Sequence, residues 1–210
     1  MGYPSPAGFY FPLNDPSIPP EEATKVFSLW VTGYYSHGDT PETLSTRNAL
    51  NEPTPTATRM LPEDLASTFH EAPTLPDGVD SVILQSGPKS GAFSRLREAA
   101  LFAPQGSEIA WPNVEFRYVW CDQSVWMMPW GAWSFRAEME QARRDGKLIR
   151  THSIVRMRGA NHCVSVAFTY IVITSLIYNI KAHWDEPEKT LRVLLSDAPI
   201  DVDIRNVAKF

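Results

Sequence analysis

Along the second half of the chain, apolar and polar positions switch between two periods. Val114-Glu115-Phe116-Arg117-Tyr118-Val119-Trp120-Cys121 is β-branched and aromatic and predicts a strand ending at Asp122. Residues 133–144 have the spacing of an amphipathic helix, closed by Asp145-Gly146 with the glycine as C-cap. Residues 148–157, with Ile149, His152, Ile154 and Val155, predict the next strand. Phe93, Leu96 and Ala100 share one face of a helix over 93–102, and 187–195 predicts a final helix. Strand, helix, strand, helix in this order predicts an α/β fold with a parallel sheet.

The first 79 residues behave differently, being rich in Pro, Thr, Ser and Gly without strand-like alternation. Pro19-Pro20-Glu21-Glu22 opens a helix to about residue 35, with proline first and carboxylates in the first turn where the helix dipole favours them. A second short helix is expected from Pro62-Glu63-Asp64 to residue 69, and turns at 53–55 and 76–78 separate the rest. This half reads as an irregular helical layer.

A chain of 210 residues with 43% hydrophobic composition can bury a core. Its net charge of −5, without a Lys/Arg-rich run, argues against a nucleic-acid partner. Cys121 and Cys163 form neither a disulfide framework nor a zinc pattern, and no signal-peptide pattern opens the chain, so the expected compartment is the cytoplasm. The chain begins on a loop-like Met-Gly-Tyr-Pro-Ser-Pro-Ala-Gly, which suggests a piece of a longer protein.

Two motifs carry chemistry: Gly159-Ala160-Asn161-His162 after a predicted strand, and His183-Trp184-Asp185-Glu186-Pro187-Glu188 before a predicted helix. Together they resemble the α/β-hydrolase family, of the AB hydrolase-1 type known from fungi. There the catalytic histidine follows the last core strand in a Gly-x-x-His context, and a similar acidic stretch leads into the last helix. The resemblance implies a partial α/β-hydrolase fold, with residues 95–210 as the C-terminal part of the core and 1–94 as a cap. It also implies that 114–121 matches the strand whose end bears the catalytic acid.

In such a site a neutral imidazole takes a proton from a nucleophile and later returns it, so the resemblance makes His162 the base. The acid is open. Relatives show Gly-Asp-x-Asp, whereas this chain has Cys121-Asp122-Gln123-Ser124, so literal alignment puts Ser124 in the acid's place. Asp122 either serves through a shifted loop, is a turn-forming Asx residue, or yields to an acid from an earlier strand. No Gly-x-Ser-x-Gly elbow occurs, and the nearest string, Gly87-Pro88-Lys89-Ser90-Gly91, has the wrong spacing.

Residues 164–182 interrupt the two halves of the motif. Their excision would join Gly-Ala-Asn-His-Cys to His-Trp-Asp-Glu-Pro-Glu, and the segment reads as the translation of an unspliced in-frame intron. A membrane span over 166–178 is a competing reading at the short limit of length, and a β-strand or hairpin is another.

Trp126, Met127 and Trp130, with Trp120, Met128 and Trp133, form a dense apolar cluster that suits either a pocket wall for an apolar substrate or core. Arg136, Glu138, Glu140, Arg143 and Arg144 read as a solvated helix face with pairs such as Glu140 with Arg144. His37, His70 and His152 read as structural. The expected function is hydrolysis of an ester or related bond in a small apolar substrate, with no cofactor. Without a nucleophile this chain is expected to be inactive. The alternative is a non-catalytic binding module derived from the same fold.

Overall fold

The computed structural model describes residues 2–68, 72–74, 77–103, 108 and 114–163, and the backbone of 201–203. The expected insertion at 164–182, the His183–Glu188 motif, the helix at 187–195 and His70 lie outside the described residues. What is described is a mixed α/β chain with a parallel sheet. Helices α1 (Pro20–Val31), α2 (Pro62–Thr68), α3 (Val79–Ser90) and α4 (Ala92–Leu101) precede strand β1 (Phe116–Cys121). Helix α5 (Met127–Arg144) then crosses to β2 (His152–Arg158), and a short β3 (Asp201–Asp203) follows.

The sheet order is β1-β2-β3, parallel throughout. Phe116 is in register with His152 and Cys121 with Met157, and Met157 is in register with Val202. Because side chains alternate across the pleat, Phe116, Tyr118 and Ile154 share one face. Helix α5 lays Phe135 and Met139 on that face, and Leu101 completes the cluster. Val119, Cys121 and Met157 lie on the other face with Ala160. A third cluster joins Trp30, Val31 and Tyr35 to Val125 and Trp126, so the N-terminal layer packs against the start of α5.

Several boundaries differ from expectation, each for a local reason. Helix α5 starts at Met127, six residues before the predicted start. Pro129 is its third residue, where a missing N–H has no intrahelical partner to lose, so the proline fits inside the helix. Strand β2 starts at His152 rather than 148 because the preceding residues bond to the end of α4 instead. Arg150 N donates to Leu101 O at 2.8 Å, Ala103 N to Leu148 O at 3.2 Å, and Arg150 Nε to Ala100 O at 2.7 Å.

Helix α1 stops at Val31, short of residue 35, and the chain beyond it turns toward the sheet, where Tyr35 N donates to Gln123 O at 3.0 Å. Helix α3 was not legible in the apolar pattern, since Val79, Val82, Ile83 and Leu84 are all exposed. It absorbs the Gly87–Gly91 string and ends where Gly91 turns left-handed at φ 67°.

The charged residues of α5 also need correction. Arg144 pairs with Gln141 Oε1 at 2.7 and 3.2 Å rather than with Glu140. Glu138 is not simply solvated. It accepts both arms of the Arg97 guanidinium at 2.9 and 3.2 Å and the Tyr3 hydroxyl at 2.5 Å, joining the N-terminus, α4 and α5.

Candidate functional site

In a parallel sheet every strand ends at the same edge, so the loops after β1 and β2 emerge side by side, at the edge where open α/β sheets gather ligands and chemistry. Here the loop after β1 carries Asp122 to Val125 and the loop after β2 carries Gly159 to Cys163. Backbone bonds join them: Asp122 N donates to Met157 O at 3.1 Å and Gln123 N to Ala160 O at 2.9 Å. Gly159 turns the second loop at φ 75°, a left-handed conformation that glycine adopts at no steric cost. Its amide donates to Asp122 Oδ1 at 2.7 Å.

Asp122 is therefore committed to the turn. Its second oxygen accepts from Arg156 Nε at 3.3 Å, and the Arg156 guanidinium lies 5.2 Å over the Trp120 ring. Trp120 Nε1 is buried and has no hydrogen-bond partner among the described residues. The described partner of the His162 ring is instead Ser124, whose Oγ lies 3.2 Å from His162 Nδ1. Ser124 is fully buried, at 0% exposure. Of the two residues weighed for the acid's place, the structure brings Ser124 to the histidine and turns Asp122 toward Gly159 and Arg156.

A second histidine holds Ser124 from behind. The amide of Ser45 donates to His37 Nδ1 at 3.1 Å, so Nδ1 accepts and the ring proton sits on Nε2. Nε2 then donates to the Ser124 carbonyl at 2.7 Å. Sequence reasoning left His37 as a structural residue with no partner pattern. Its partner is 87 positions away, and no local signal points to it.

Asn161 anchors the His162 loop to the N-terminal layer. At 2% exposure, its Nδ2 donates to Thr32 O and Thr56 Oγ1, both at 2.7 Å, and its Oδ1 accepts from Cys163 N at 3.1 Å. Two layers of the chain thus hold the histidine loop in place.

Burial sets the electrostatics of the site. It moves His162 below the ordinary histidine pKa, because the imidazolium loses hydration. His37 is also lowered, chiefly by burial, against the Ser124 carbonyl and the Asp122 charge that pull it up. Both rings therefore favour the neutral form. Burial pushes the Cys121 thiol up to about 12 and also raises Cys163, so neither sulfur is poised as a thiolate.

The aromatic candidates sit beside the site, tied to the N-terminal segment. Trp126, 4% exposed, donates from Nε1 to Tyr10 O at 2.8 Å. Trp130 donates to Pro4 O at 2.7 Å, and Met127 and Trp130 pack around the cluster of Trp30, Val31 and Tyr35. His152 bridges Arg143 and the Arg150 carbonyl at the far end of β2. Among the described residues no three His, Cys, Asp or Glu side chains gather to hold a metal. No described helix is long and apolar enough to cross a membrane.

Comparison with known proteins found no matching family model, no matching curated protein and no matching solved structure.

Proposed function

We propose that this chain carries the histidine-bearing part of an α/β-hydrolase-type site, for cleavage of an ester or related carbonyl or epoxide bond in a small apolar substrate. The observation that supports it is the parallel β1-α5-β2 unit with His162 on a loop at its carboxyl edge. There its Nδ1 meets a residue of the neighbouring loop, Ser124. That is the position from which an imidazole serves a nucleophile. The sequence contains no Gly-x-Ser-x-Gly, so the 210-residue chain is expected to cleave nothing by itself.

The second reading is a non-catalytic binding module. It is favoured by the neutral, fully buried Ser124 where a carboxylate would steady a working base. Assay of aryl esters separates the two, using the 210-residue chain, the longest polypeptide its transcript encodes, and that polypeptide with His162→Ala. The enzyme reading expects turnover by the long form alone, lost in the variant. Absence of turnover and of labelling by a serine-reactive phosphonate in the long form supports the module.

A further inference from the structure

We infer that Ser124 is a positioning residue that locks His162 in the tautomer with its proton on Nε2, so that Nε2 of the resting ring carries a hydrogen rather than a basic lone pair. The hydroxyl of Ser124 is fully buried, and among the described residues its hydrogen-bond partner is His162 Nδ1 at 3.2 Å. A buried hydroxyl whose proton finds no acceptor forfeits the hydrogen bond it made to water, whereas an oxygen with two lone pairs can leave one unused at less cost. The proton of Oγ–H is therefore directed at Nδ1. A neutral imidazole that accepts at Nδ1 must carry its hydrogen on Nε2.

A carboxylate in the same position would do the opposite. It can only accept, so it would require a proton on Nδ1 and leave the Nε2 lone pair free to take a proton. The exchange of a carboxylate for a hydroxyl inverts the resting tautomer. His37 reinforces the arrangement through the backbone of Ser124. Its own tautomer is set by the Ser45 amide, and its Nε2–H pins the Ser124 carbonyl, which fixes where Oγ emerges. The charged group nearest in the loop, Asp122, is held away on Gly159 and Arg156.

The tautomer is a property of this chain alone. Only its catalytic consequence, a histidine that must shift its proton before acting as a base, rests on the hydrolase reading.

The test is long-range proton–nitrogen correlation NMR of the 210-residue chain labelled at histidine nitrogen, at neutral pH, with His162 assigned by its loss in His162→Gln. The expected spectrum of the unaltered chain has His162 Nδ1 in the unprotonated range and Nε2 in the protonated range. Ser124→Asp is expected to exchange the two and raise the midpoint of His162 titration. Ser124→Thr, which keeps the hydroxyl, leaves both nitrogens where they were. A protonated Nδ1 in the unaltered chain overturns the inference, whether or not the Ser124 variants fold. Failure of the hydrolase reading is separate: an encoded long form without an elbow leaves this spectrum unchanged.

Discussion

The amide of Gly159 donates to Asp122 Oδ1 at 2.7 Å, and this bond decides what Asp122 can do. With one oxygen on a left-handed glycine and the other on Arg156, the carboxylate joins the ends of β1 and β2. Asp122→Asn keeps an acceptor for Gly159, but Asp122→Ala removes both contacts. The alanine variant is expected to lose about 1–3 kcal/mol in urea unfolding and the asparagine variant clearly less. Equal losses would mean that the Gly159 bond carries little of the stability.

Acid should weaken the fold in a defined window. His37 and His162 have folded-state pKa values below 6.5 because burial disfavours the imidazolium. As pH falls below 6.5, the unfolded chain binds protons that the folded chain declines, so stability present above that value is progressively lost. Glu115, held below its usual 4.5 by Ser153 and Arg117, adds its loss only at more acid pH. Urea midpoints between about pH 7.5 and 5.5 should decline. His162→Gln should flatten part of that slope, and a flat profile in the unaltered chain would contradict the buried neutral rings.

Asn161 is the anchor of the histidine loop. Asn161→Asp replaces the two 2.7 Å donations to Thr32 and Thr56 with an anion at a 2% exposed site. The expected cost is about 3 kcal/mol or more, against about 1–3 kcal/mol for Asn161→Ala. Thermal unfolding checks the order, and an aspartate variant as stable as the alanine variant would show that the amide is not needed as a donor.

Helix α5 approaches β1 closely at Gly131, where an added Cβ would lie 2.5 Å from the Tyr118 hydroxyl. The ring has little room to retreat, because it stacks on Phe135 at 5.6 Å. Helix propensity favours alanine by about 1 kcal/mol, but overpacking costs about 1–3, so Gly131→Ala should be net destabilising. Adding Tyr118→Phe removes the obstructing oxygen and should return the double variant near the stability of Tyr118→Phe alone. Additive losses in the double-mutant cycle would refute the contact.

Period and punctuation made β1, the body of α5 and the loop bearing His162 legible in the sequence. A parallel pair needs a helical crossover, and the chain supplies one. The start of α5 was hidden because Pro129 reads as a breaker unless it falls in the first turn. Helix α3 was hidden because its apolar side chains face outward, and β3 because three residues carry too little pattern. The pairing of Ser124 with His162 was foreshadowed only by literal alignment. That of His37 with Ser124 depends on tertiary contact and has no local trace.

The central claim, that His162 belongs to a hydrolase-type site, is tested most directly by sequencing the complete transcript upstream of the Met1 codon. An in-frame Gly-x-Ser-x-Gly codon run upstream is the result predicted. An in-frame stop directly upstream of Met1 with no elbow would contradict it.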